Sequence, residues 1–297
     1  MRTLSPIHMH MHISPEETRS SHIESRSNTM SDQKVVLITG ASSGIGSATA
    51  DHLISRGYRV FGTARSPQQT ATSSGVSLLP LDVTVAESVS RAVQAVIDAA
   101  GRIDMLVNNA GLGVFGAFEE TSIEQARALF DINVFGVIRT SQAVLPHMRA
   151  RRSGLIVNVS SVQGFIPAPY AAIYSSTKHA LEGLSESLDH EVRQFGIRVV
   201  LVEPAFTRTA FDANSVTAAT RLEAYAKERS RVAAALAATF QAAPEPHGVA
   251  EEIAQAIESP HRLRRPVGSQ AKLVGRLRRF MPAGAVDRQL RKVYALE

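Results

Sequence analysis

The stretch KVVLITGASSGIG, Lys34 to Gly46, carries an aliphatic run straight into a glycine-rich turn and on into helix-forming residues. An apolar run with no polar alternation reads as a strand buried on both faces, as in a parallel sheet covered by helices. The three glycines of the turn have separate tasks. Gly40 permits the tight bend, Gly44 removes the side chain that would keep backbone away from a diphosphate, and Gly46 lets helix and strand pack closely. Ser42, Ser43 and Ile45 complete the turn, and the free N–H groups at the helix start are donors for an anion. The other common phosphate loop is absent, because no Lys-Ser/Thr pair follows the glycines.

The pattern repeats downstream. YRVFGTA (58–64), VSLLPLDV (76–83), IDMLVNNAG (103–111), GLIVNVSS (154–161) and IRVVLVEP (197–204) read as five further strands. Helices are expected over 44–56, 85–100, 122–149 and 173–195, with Gly57 and Gly101 as stops. Apolar strands separated by helices predict an α/β fold, a Rossmann-type doubly wound parallel sheet, and the unbroken series predicts a single domain. Residues 1–33 are polar, Ser- and His-rich and aperiodic, and are expected to be a disordered leader. Residues 34–260 are expected to form the one domain that carries the site, and 261–297 a basic extension packed on it.

Composition narrows the function. Hydrophobic residues make up 44% and charged residues 20%, which suits a globular domain. The absence of cysteine removes disulfides, thiolate metal sites and cysteine nucleophiles, and fits a cytoplasmic setting. His8, His10 and His12 have no carboxylates around them, so no metal site is expected. No apolar run reaches the roughly 18 residues that span a bilayer. The net charge of +5 is unevenly placed: residues 261–297 hold ten basic and two acidic groups, whereas 34–260 hold 19 and 21. The body is therefore not basic, and no nucleic-acid partner is expected.

The end of the second strand reports on the dinucleotide. A carboxylate there would bond the ribose 2′-OH of NAD and repel a 2′-phosphate. This chain has Thr63-Ala64-Arg65 instead, and Arg65 can pair with a phosphate in a forked geometry. NADP is favoured over NAD. In YSSTK, Tyr174 to Lys178, four positions place a phenol and an ammonium on one helix face. The neighbouring cation is expected to lower the phenol pKa from about 10, so that Tyr174 can trade a proton near neutral pH.

With TGASSGIG, NNAG (Asn108 to Gly111) and YSSTK in that order, the chain resembles the short-chain dehydrogenase/reductase family, most strongly over residues 34–211. The resemblance implies four residues acting together. These are Asn133 within INVFG, Ser161 at 13 residues before the tyrosine, Tyr174 and Lys178. It implies hydride transfer from NADPH to a carbonyl carbon, with Tyr174 giving the proton and Ser161 holding the carbonyl oxygen. Lys178 would also grip the nicotinamide ribose, and Asn133 would anchor a water linking Lys178 to solvent. Further cofactor contacts implied are Asp82 and Val83 beside the adenine, Asn109 near its ribose with Ala110 and Gly111, and Pro204 and Thr207 near the carboxamide. Ala205 stands where the family commonly has glycine. A homo-oligomer, dimer or tetramer, is also implied.

The resemblance implies a substrate site over the nicotinamide, walled by loops that here supply Leu112, Val114, Phe115, Phe165, Ile166, Pro167, Phe206 and Phe211, with Gln163 as a polar exception. Such a lining, with Ser161, Gln163, Phe165 and Phe206 against the substrate, favours a hydrophobic ketone or aldehyde. Residues 214–243 look like the helices that cover the active site in relatives. AKLVGRLRRF, 271–280, alternates basic and apolar residues. A helix packed over the substrate loops or a subunit neighbour is preferred there to peripheral membrane contact. An NAD-linked enzyme is the runner-up, and a non-catalytic dinucleotide sensor predicts a damaged Tyr174 or Lys178, yet both are intact.

Overall fold

Val35–Ile38 (β1) is buried at all four positions and pairs in parallel with a strand on either side, so its backbone groups are satisfied while both faces stay dry. The computed structural model describes residues 33–296 apart from 69, 73, 210, 212–214 and 279. The expected leader, with His8, His10 and His12, thus lies outside the described residues save for Gln33.

From β1 the chain forms α1 (Gly44–Ser55), β2 (Arg59–Ala64), β3 (Ser77–Pro80), α2 (Ala86–Ala100) and β4 (Met105–Asn108). Gly57 and Gly101 take positive φ, +83° and +71°, just past the ends of α1 and α2. After β4 come the short β5 (Val114–Phe115), α3 (Ile123–Phe130), α4 (Gly136–Arg151), β6 (Gly154–Val159), α5 (Ala172–Val192) and β7 (Ile197–Pro204). The chain then passes through β8 (Val216–Thr217), α6 (Ala226–Gln241), α7 (His247–Glu258), β9 (Arg264–Val267), α8 (Ser269–Leu277) and α9 (Ala283–Val293).

The main sheet has seven parallel strands in the order β3-β2-β1-β4-β6-β7-β9. One face packs Leu37, Leu106 and Ile156 against Val93, Val144 and Met148 of α2 and α4. The other packs Ile38, Val107 and Val200 against Leu53 of α1 and Ile253 of α7. This is the doubly wound parallel sheet in a single domain. From β1 the winding runs outward to β2 and β3, and from β4 it runs the other way, so a crevice opens at the strand ends between them.

Two features differ from the sequence expectation. In the main sheet the six strands expected become seven, because Arg264–Val267 pairs with Leu201–Pro204 of β7. Its charge and Pro266 hide it from an apolar-run reading, and an edge position is where a proline is tolerated in a sheet. The long helix expected over 122–149 is interrupted by a π-helical turn, Asp131–Phe135. That turn carries Asn133, and such turns often mark functional sites.

Candidate active site

The crevice is lined first by the glycine turn. Gly40 and Gly44 adopt φ of +67° and +57°, a region costly for residues with a Cβ. A Cβ on Gly46 would stand 2.2 Å from the Gly40 carbonyl and 2.5 Å from Asn109 Nδ2, so this glycine packs the turn against its neighbour. Ser43, the N-cap of α1, makes no side-chain capping bond, and the first turn of α1 holds no acidic residue. The turn is clamped from below. Asn109 Nδ2 donates to the Thr39 and Gly40 carbonyls at 3.0 and 2.9 Å, and Thr39 Oγ1 accepts from the Asn109 and Ala110 N–H groups at 3.0 Å each. Thr39 escaped the sequence reading, since its contacts lie some 70 residues away.

Along the crevice stand Ser42, Ile45, Arg65, Asp82, Val83, Ala110 and Gly111. Asp82 accepts from the Thr84 N–H and hydroxyl at 2.9 and 2.7 Å. Those bonds, with Arg65 and Arg139 nearby, hold its carboxyl below the usual range.

The other end of the crevice is built on α5 and the end of β6. Lys178 is 7% exposed, and its Nζ donates to the Val159 carbonyl at 2.9 Å. Burial pulls its pKa down from 10.5 to about 8, opposed by Glu182. Nζ lies 5.7 Å from the centroid of the Tyr174 ring, which packs on Phe211 at 5.7 Å. Ser161 follows β6, and its Oγ accepts from the Gln163 N–H at 3.1 Å, while Gln163 Oε1 accepts from Ser175 Oγ at 2.9 Å. The Asn133 side chain is committed elsewhere: Nδ2 donates to the Leu112 carbonyl and Thr177 Oγ1, and Oδ1 accepts from the Leu112 N–H. It thereby fixes the π turn to the loop after β4 and to α5.

One cavity of about 630 Å³ joins these parts, from Gly40, Ser43 and Gly44 to Ser161, Gln163, Tyr174 and Lys178. Asn109, Pro204, Phe206 and Thr207 also line it, whereas Gly46, Asn133 and Phe165 do not. Phe165 instead faces α8, its ring 3.7 Å from where a Cβ on Gly275 would stand. In the loop after β7, the Ala205 N–H donates to the Val267 carbonyl at 3.3 Å and Thr207 Oγ1 to the Ala205 carbonyl at 3.1 Å. Leu112 and Phe211 contribute apolar wall, and Phe240 of α6 adds a wall that sequence reasoning missed, meeting Phe206 edge-on at 5.0 Å. Helix α6 is tied down by Arg229, which pairs with the buried Glu120. Glu120 also accepts from the Ala117 and Leu222 N–H groups at 3.0 and 2.8 Å.

Comparison with known proteins agrees with this geometry. The family model for short chain dehydrogenases matches residues 34–220. A 3-ketodihydrosphingosine reductase of Bacteroides thetaiotaomicron is 44% identical over 181 residues, covering 61% of this chain and 66% of the reductase, just under two thirds of its length. A short-chain dehydrogenase structure from Streptomyces avermitilis is 36% identical with a TM-score of 0.74, covering 88% of this chain and 95% of that one. A Burkholderia phymatum short chain dehydrogenase/reductase in complex with NAD is 29% identical with a TM-score of 0.71, covering 83% and 93%. Among the described residues no helix is long and apolar enough to cross a membrane. With the fold, the glycine turn and the Tyr174–Lys178 pair in place and a match over most of its length, the chain belongs to the short-chain dehydrogenase/reductase family of oxidoreductases.

Proposed function

We propose that this protein moves a hydride between NADP(H) and a carbonyl or secondary alcohol, reducing a hydrophobic ketone or aldehyde. The observation that carries the reading is the single cavity that runs from the anion-ready turn to Ser161, Tyr174 and Lys178. Gly40 and Gly44 form a cradle suited to a diphosphate: at Gly40 a Cβ would meet the Ala110 backbone at 3.0 Å, and the start of α1 presents free N–H groups. Arg65 lines the adenosine end with no carboxylate at the end of β2, which favours NADP although a relative is complexed with NAD.

The bound dinucleotide supplies the hydride. Ser161 holds the carbonyl oxygen, Tyr174 gives it a proton, and the ammonium of Lys178 favours the ionised phenol that results. Leu112, Phe206, Phe211 and Phe240 exclude water from the carbonyl. Their apolar character, and the lipid ketone in the Bacteroides relative's name, support a lipophilic substrate. A cytoplasmic location and a dimeric or tetrameric assembly belong to the same proposal.

The test is a panel of lipophilic ketones and aldehydes, followed by NADPH oxidation. Tyr174→Phe is expected to lose about a hundredfold or more of kcat. Arg65→Ala is expected to raise KM for NADPH about tenfold and leave NADH nearly unchanged. Turnover intact without the hydroxyl would remove the catalytic assignment, and equal losses with both cofactors would remove the 2′-phosphate contact.

A further inference from the structure

One turn beyond Lys178 on α5 stands Glu182, a charged side chain only 5% exposed that the proposed chemistry leaves without a task. Its surroundings are built. Ser160, itself buried, donates its hydroxyl to Glu182 Oε1, and Arg264 of β9 pairs with Oε2. The same guanidinium reaches Glu203 of β7 at 2.9 Å and Glu186 at 3.3 Å. The loop after β6 closes over the carboxylate, since a Cβ on Gly164 would stand 2.7 Å from Glu182 Oε1 and 2.8 Å from Ser160 Oγ.

The cluster solves an electrostatic problem. A buried ammonium whose hydrogen bond goes to a carbonyl tends to discharge, because burial disfavours the charged form. Burial acts that way on Lys178, and Glu182 is the group that opposes it. Glu182 in turn faces Glu203, whose carboxyl is pushed well up by burial and by Glu182 itself. Arg264 stands against both carboxyls and offsets part of the cost of burying them side by side. The titratable or charged groups facing this pair are Tyr174 and Glu186 from α5, Glu203 from β7 and Arg264 from β9, while the segment after β6 contributes Ser160.

We propose that Glu182 is a positioning residue for the active site: held one helical turn from Lys178 by Ser160 and Arg264, its side chain maintains the charge on Lys178. The effect on turnover rests on the role given to Lys178 above, whereas the effect on its charge does not. The chain has five lysines, so the side-chain signals of the full-length protein labelled with 13C-lysine can be assigned, that of Lys178 by its loss in Lys178→Met. The midpoint of the Lys178 signal is followed against pH in wild type, Glu182→Gln and Glu182→Asp.

The expected result is a midpoint lowered by about one pH unit or more in Glu182→Gln and by less in Glu182→Asp. An unmoved midpoint in both overturns the proposal. Should Glu182→Gln not fold, Glu182→Asp, whose carboxylate is drawn back by one methylene, decides alone: a lowered midpoint supports the proposal and an unmoved one overturns it. The alkaline limb of kcat for NADPH oxidation is expected to move with the midpoint. A midpoint that moves while the limb stays would sustain the role of Glu182 and refute the catalytic role of Lys178.

Discussion

The interior of this protein is built in two ways. Around β1 and β2 it is close to pure hydrocarbon: Val36, Leu37, Ile38 and Leu53 have no measurable exposure, and the strands are held mainly by backbone pairing and packing. Around β6, β7 and α5 the same sheet buries Asn158, Ser160, Lys178, Glu182, Asp189 and Glu203. Each finds a partner. Asn158 bridges Asn108 and Ser185, and Asp189 accepts from Arg193, Arg198 and the Val199 N–H, which hold its carboxyl far below the usual range. The difference teaches where stability is made and where it is spent. Hydrocarbon packing holds the β1–β2 side of the sheet, and the β6–β7 side buries charge that packing alone would not favour.

The contrast can be broken by mutation. Leu37→Ala is expected to cost about 2–5 kcal/mol by the loss of buried surface and the cavity left behind, with kcat per folded molecule unchanged. Chemical denaturation and single-turnover rates together check this, and a loss of rate without a loss of stability would contradict it. Lys178→Met goes the other way, removing activity while raising stability by about 1–3 kcal/mol near neutral pH. The sign follows from a folded-state pKa of about 8 against an ordinary 10.5. The unfolded chain holds that proton more tightly, so the penalty is complete below about pH 8 and fades as pH rises toward 10.5. The gain from Met should fade in step, and denaturation at pH 7 and pH 10 compares the two.

The smallest effect sharpens the comparison instead. Glu203 has its carboxyl pushed up from 4.5, chiefly by burial and then by Glu182, with Arg264 pulling the other way. The folded protein therefore keeps a proton that the unfolded chain loses above pH 4.5, and stability falls as pH rises through that range. The slope is at most about 1.4 kcal/mol per pH unit. In Glu203→Gln that part of the decline should vanish, and a thermal-unfolding series between pH 5 and 8 measures it. An unchanged slope would mean that the acid end of the cluster is not as dry as its position indicates.

The two regions were also unequally legible. The hydrocarbon region announces itself locally: the glycine turn follows β1 directly, and the aliphatic runs of β1, β4 and β7 need no knowledge of what they touch. Tyr174 and Lys178 were legible for the same reason, being one turn apart on a single helix. What stayed hidden depends on residues far apart in sequence. Strand β9 carries arginine and proline because it sits at the sheet edge, so no apolar run betrays it. Glu182 looks like any exposed helix glutamate until Arg264, 82 residues later, is brought beside it. Asn133 is singled out by resemblance, yet nothing in INVFG foretells that its amide bonds to Leu112 and Thr177.

Strand β9 has one more implication, for the order in which the molecule is made. Glu182 and Glu203 leave the ribosome well before Arg264, which follows Glu203 by 61 positions. A nascent chain that has assembled β1 through β7 would hold two facing acids with no guanidinium between them, an arrangement that resists dehydration. Docking of β9 and completion of the Glu182–Arg264–Glu203 cluster are therefore expected to be the same event.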